Sequence, residues 1–201
     1  MKYTTVIAAI TSTALAQSSC SSAPPAATPS PAPPAGPNYF TVISTRSASP
    51  VNFLTLTARG LKFYLGGGPP SSYCPPNIPA GSCPPGNSTV LAGGYGTLGM
   101  GTVVPGGQEV YVAPDGALSY TQAHSAAVPA GSYRAMFSRE APSGGNSFGY
   151  LNFETGFVAC PAKAPETGYQ VFGQVEGATF GPECLGFNAL TCKSMSCLST
   201  D

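Results

Sequence analysis

Charge is the commodity this chain has least of. Its 201 residues carry eight Lys and Arg against eight Asp and Glu, 8% charged in all, with a formal net charge of zero. Nucleic-acid binding shows as clustered Lys and Arg facing phosphates, and scattered basic residues exclude that class. Charge-driven disorder is excluded for the same reason. There is no Trp and a single histidine, His124. Zinc prefers Cys and His in tight pairs, and His124 stands far from every Cys, so no metal site and no cofactor are expected. Beyond the first sixteen residues no segment approaches the ~18 consecutive apolar residues of a membrane helix. The stretch Cys192 to Asp201 is polar, which speaks against a lipid-anchor signal. Apolar residues at helical spacing are missing as well.

What is present begins with a secretory signature. Lys2 supplies a short positive region, Val6 to Ala16 is apolar and small, and Ala14-Leu15-Ala16 fits a small-x-small cleavage site. Residues 1–16 therefore read as a signal peptide, with Gln17 opening the mature chain. Residues 17–38, QSSCSSAPPAATPSPAPPAGPN, contain no side chain large enough to build a core. They read as a disordered, extended Pro-rich arm whose Ser and Thr can carry O-linked sugar. Residues 39–201 are long enough for one domain with a core of its own.

The mature chain holds seven cysteines, which in an oxidising compartment default to disulfides. Spacing favours Cys74–Cys83, closing a Pro-rich loop, and Cys160–Cys184, tying two late segments. Cys192–Cys197 is a further candidate. Seven is odd, which leaves one thiol, with Cys20 in the arm the obvious candidate. Asn87-Ser88-Thr89 is the sole N-glycosylation sequon, at the end of the Pro-rich loop.

From Tyr39 onward the texture is short alternation. Leu61, Phe63 and Leu65 share one parity against Lys62 and Tyr64, and Val110 and Val112 flank Tyr111 in the same way, as in half-buried strands. Asp115-Gly116 between Val110–Val112 and Ala117–Tyr120 is a hairpin signal. Leu151 and Phe153 alternate with Asn152 and Glu154, and Thr155-Gly156 turns the chain into Phe157–Cys160. Tyr169 to Val175 and Leu185 to Leu190 supply more strands. About ten to twelve short strands imply an all-β, disulfide-bonded domain, an antiparallel β-sandwich or barrel, with a β-trefoil as alternative.

Motifs that suggest chemistry fail on context. Gly145-Asn146-Ser147-Phe148-Gly149 matches a nucleophile elbow, but a strand follows where a helix is needed, and His124 lies upstream of Ser147. Gly94-Tyr95-Gly96-Thr97-Leu98-Gly99 matches a dinucleotide loop without the helix that would hold a pyrophosphate. Asp115, His124 and Ser125 invite a triad, yet Asp115 is explained by its turn. The eight carboxylates form no close pair in sequence, which disfavours glycoside hydrolysis. No catalytic residue is assigned. Tyr73, Tyr95 and Tyr133 lie in loop-like sequence and are candidates for stacking on sugars or anchoring a protein contact.

Two stretches carry a resemblance. One is Leu61-Lys62-Phe63-Tyr64-Leu65-Gly66 with Ser71-Ser72-Tyr73-Cys74-Pro75 and Cys83-Pro84-Pro85-Gly86-Asn87-Ser88-Thr89. The other runs from Val104-Pro105-Gly106-Gly107-Gln108 through Pro114-Asp115-Gly116 to Ala123-His124-Ser125. Over about Phe40 to Thr191 the chain resembles the filamentous-fungal IgE-binding proteins related to the cell wall protein phiA. The resemblance implies a secreted, wall-associated fungal protein without enzymatic activity, linked to asexual spore formation and wall integrity, with allergen relatives. Relatives in plant pathogens elicit plant defence and bind osmotin-type defence proteins. The partners it implies are therefore wall polymers or host proteins, met outside the cell. The Pro-rich arm and the Cys192/Cys197 tail depart from the likeness.

Overall fold

The computed structural model describes residues 39–71, 88–102, 104–143 and 146–193. The expected signal peptide, the Pro-rich arm with Cys20, and Tyr73, Cys74, Cys83, Asn87 and Cys197 lie outside the described residues. Eleven strands make up the described secondary structure: β1 (Phe40–Thr45), β2 (Leu56–Arg59), β3 (Lys62–Leu65), β4 (Leu91–Met100), β5 (Glu109–Val112), β6 (Leu118–Tyr120), β7 (Phe137–Glu140), β8 (Phe148–Phe153), β9 (Phe157–Pro161), β10 (Tyr169–Gly173) and β11 (Leu185–Lys193). The all-β expectation and the strand number both hold.

All the strands join one antiparallel sheet in the order β1-β11-β8-β7-β4-β5-β6-β3-β10-β9, with β2 on β3. β9 also pairs β11, and β1 touches β4 at Phe40↔Leu91. The hydrogen-bonded path thus returns on itself, from β11 through β8, β7, β4, β5, β6, β3, β10 and β9 back to β11. A path that closes leaves few unpaired strand edges, which are where sheets otherwise aggregate.

The closed path encloses one apolar cluster. Phe40, Phe63, Leu65, Leu91, Val110, Val112, Phe137, Leu151 and Phe153 are its buried centre. Phe137, Phe153, Phe157 and Phe187 form a chain of ring contacts with centroids 5.3, 6.0 and 5.9 Å apart. Tilted rings at such distances add attraction beyond simple area burial.

Two strand readings need correction. Leu61 is not an inward member of the Phe63 and Leu65 row, since it is 43% exposed and lies outside β3. Arg59 pairs with Lys62, so Gly60 and Leu61 are the two-residue hairpin loop, with φ of 51° and 64°. Positive φ at both central positions is the mark of a type I′ loop. Thr155-Gly156 does turn the chain, Gly156 N donating to the Phe153 carbonyl, but β9 does not return along β8. It pairs with β10 and β11 instead. Tyr64 and Tyr111, on the opposite parity of β3 and β5, are buried too, so both strands are covered on both sides. Position in the closed sheet overrides the local alternation there.

Cys160, in β9, is bonded to Cys184, just ahead of β11, as the spacing had suggested. The bridge fastens the two ends of a segment that contains β10. Cys192 is disulfide-bonded as well. The Asp115-Gly116 hairpin is as read: Val112 pairs Leu118, and Asp115 Oδ1 accepts the Ala117 N–H at 3.0 Å.

Candidate binding surface

The residues that invited a catalytic reading fall on separate elements. Asp115 is held by its own turn. His124 is exposed, with φ of 61°, in a turn after β6. Ser147 is exposed and runs straight into β8, so the strand-then-helix context of a nucleophile elbow is not there. The Gly94–Gly99 motif lies within β4. Its glycine at 94 serves close packing, since a Cβ there would sit 2.7 Å from Arg139 Cβ on β7.

Three glutamates besides Asp115 are engaged in side-chain bonds. Glu109 accepts two bonds from the Arg134 guanidinium, Nε at 2.7 Å and Nη2. Glu166 accepts from Arg59 Nε at 3.1 Å, and Glu140 from Asn152 Nδ2 at 2.8 Å. Among the described residues no three His, Cys, Asp or Glu gather as a metal would require.

What the fold displays instead is aromatic. Tyr95 on β4 is 61% exposed, and Phe148 and Tyr150 on β8 are exposed as well. Alternation explains why: Phe148, Tyr150 and Asn152 face out where Gly149, Leu151 and Phe153 face in. Tyr95 pairs Ser138, Ser138 pairs Asn152, and Glu140 pairs Tyr150, so all share the outer face of β4, β7 and β8. Beneath this face Arg139 points inward, its guanidinium 4.3 Å from the Phe40 ring centre. Burial pushes the Arg139 pKa down, with the nearby Tyr95 acting weakly in the opposite direction.

Of the tyrosines singled out in the sequence, Tyr95 is displayed as expected. Tyr133 is not: it is half-buried against the core and pairs with Val112 through both backbone bonds. Phe148 and Tyr150 were missed. Their signal was available, because the small or apolar Gly149, Leu151 and Phe153 occupy the opposite parity of the same strand.

A second feature lies beyond β1. The loop 46–53 borders an open depression of about 400 Å³ lined by Thr45, Arg46, Ser47, Ala48, Asn52, Phe53 and Asn188. The loop is tightly held. Val51 is fully buried, and Ser44 Oγ donates to the Val51 carbonyl (2.5 Å) while accepting from Leu54 N (3.2 Å). Asn52 Oδ1 accepts the Arg46 N–H at 2.9 Å, and Arg46 Nη1 reaches the Gly186 carbonyl at 2.6 Å. Ala48 and Phe53 take φ of 52° and 59°, and Phe53 is 71% exposed.

The family described as PhiA-like secreted protein matches residues 40–200. The chain belongs to the PhiA-like secreted protein family. The match spans every strand described above, and family membership makes this a secreted fungal protein. An uncharacterized secreted protein of the fungus Arthroderma benhamiae is 44% identical over 131 residues. That alignment spans 64% of this PhiA-like chain and 64% of the relative, a little under two thirds of the relative's length. No solved structure matches.

Proposed function

We propose that this protein associates with the fungal cell wall and acts there by surface contact, without making or breaking bonds. The observation that carries the reading is the outward set of Tyr95, Phe148 and Tyr150 on neighbouring strands of a closed sheet. Rigid aromatics offer large contact area at little cost in conformational entropy. Low charge suits the same role, because a neutral face neither repels nor needs ionic partners. Glu109, Glu166 and Glu140 are bonded to Arg134, Arg59 and Asn152.

The test is sedimentation of the purified mature protein with washed hyphal wall. Wild type should pellet with the wall, and a Tyr95→Ser, Phe148→Ser, Tyr150→Ser variant should stay in the supernatant. Wild type remaining in the supernatant sinks the proposal. Capture of an osmotin-type defence protein in its place would move the reading to the host-directed alternative, a secreted effector. The link to asexual development and wall integrity is tested by deletion, which should lower conidiation and raise sensitivity to wall-perturbing dyes.

A further inference from the structure

The loop 46–53 spends conformational energy to present one aromatic ring to solvent. Among the described residues Phe53 is the most exposed of the large apolar side chains, yet its backbone sits in the left-handed region, which a bulky L-residue avoids. Nothing in the folding of the loop requires a phenyl ring there, since Val51 supplies the buried anchor and Ser44 ties the two ends. A strained, displayed residue on a fixed backbone is an observation from which function is fairly argued.

The surroundings define what would be bound. The depression holds about 400 Å³, toward the small end of the range for ligand pockets, and suits one or two sugar rings. Its lining contains no carboxylate, which leaves a cation unmatched. Its one cation, Arg46, already donates to the Gly186 carbonyl, which makes it a poor anion clamp. What remains is neutral and polar. Asn52 has its oxygen engaged by the Arg46 N–H, which leaves its Nδ2 to donate, and Asn188 and Thr45 line the same space. An aromatic face beside amide and hydroxyl groups matches a pyranose, with C–H groups on one face and hydroxyls around its rim.

We infer that the depression beside Phe53 is a binding site for one or two pyranose units of a neutral glycan, with Phe53 stacking on the ring and Asn52 and Asn188 bonding its hydroxyls. The inference rests on the wall-associated reading only for where such a glycan is met.

The experiment is amide NMR titration of the mature protein with laminaritriose, chitotriose and mannotriose, with inorganic phosphate as the anionic probe. At least one trisaccharide should shift the amides of residues 45–53 and 188. Phe53→Gly relieves the left-handed strain while removing the ring, so its spectrum elsewhere should match the parent and its affinity should fall about fivefold or more. Asn188→Ala, at an exposed position, should also weaken binding. The inference is overturned if none of the three sugars shifts these amides, if Phe53→Gly and Asn188→Ala bind as the parent does, or if phosphate alone gives the shifts. Wall sedimentation separates the two ideas: oligosaccharide bound at the loop without wall association keeps the site and removes the location, and the reverse keeps the location and removes the site.

Discussion

Arg59 lies over the ring of Tyr64, its guanidinium carbon 4.4 Å from the ring centre. The same guanidinium donates from Nε to Glu166, from Nη1 to the carbonyls of Gly66 and Gly68, and from Nη2 to the Thr167 carbonyl. One side chain therefore joins the β2–β3 hairpin, the glycine-rich strand exit and the loop before β10. It is 8% exposed, and its charge is met on every side by acceptors and a π face.

Removing that hub should be costly. Arg59→Ala strands three backbone carbonyls and a carboxylate, and should lower unfolding stability by about 3 kcal/mol. Arg59→Lys should recover little, because an ammonium cannot span the same fork of acceptors. Glu166 is more exposed, so Glu166→Gln should cost about 1 kcal/mol or less. Urea unfolding of the three variants checks the order, and equal losses for Arg59→Ala and Glu166→Gln would contradict the hub.

Alkaline pH should loosen the fold. Burial raises the Tyr64 pKa, with Glu166 adding to the rise and Arg59 partly opposing it. Burial and then Asp115 raise the pKa of Tyr111. A phenol whose folded pKa exceeds its unfolded value keeps its proton longer in the native state. The native state then binds more protons than the unfolded one as pH climbs past the ordinary tyrosine value of about 10, and stability declines with pH there. Below that point this contribution is flat. Chemical unfolding between pH 8 and 11 should show the decline, and Tyr64→Phe with Tyr111→Phe should make it shallower.

The bridge Cys160–Cys184 closes a segment with a sequence separation of 24 that contains all of β10. Restricting a loop of that size in the unfolded chain is worth about 3 kcal/mol. Cys160→Ala with Cys184→Ala should lower the melting temperature by several degrees while leaving the far-ultraviolet spectrum that of a β protein. An unchanged melting temperature would show that the packing of β9, β10 and β11 holds the segment without the bond.

Much of this architecture was legible in the sequence, for identifiable reasons. The Asp115-Gly116 turn carries its own chemistry, in the carboxylate that caps Ala117 and the glycine with φ of 87°, so the β5–β6 hairpin could be read locally. Leu151 and Phe153 alternate with polar residues because one face of β8 meets the core. The partner of β9 was not legible, because Thr155-Gly156 fixes a change of direction and says nothing about which distant strand waits there. The cover over Tyr64 and Tyr111 is not written in their strands for the same reason: closure of the sheet covers a face that alternation alone marks as wet. The depression beside Phe53 joins Asn188 to a loop some 140 residues earlier, a relation set by the pairing Thr45↔Asn188 and by no local motif.

Leu61 illustrates the cost of an unsuited turn residue. It occupies the second position of the Gly60-Leu61 loop with φ of 64° and is 43% exposed. Leu61→Gly should therefore stabilise the protein by about 0.5–1 kcal/mol, as relief of the left-handed strain outweighs the added freedom of the unfolded chain. Thermal unfolding reads this directly, and a loss of stability would mean that the exposed side chain packs more usefully than its position suggests.

The loop 46–53 offers a paired test in which two changes to one segment act in opposite directions. Ser44 is fully buried, and its hydroxyl both donates to Val51 and accepts from Leu54, so Ser44→Ala leaves a carbonyl and an amide without partners inside the protein. That change should cost about 2 kcal/mol. Phe53→Gly removes a ring that is largely in solvent and releases its backbone from the left-handed penalty, so it should raise stability by about 1 kcal/mol. Equilibrium unfolding of both variants measures the two values. If Phe53→Gly proves destabilising, the ring contributes to the fold, and the strain at that position needs no function to account for it.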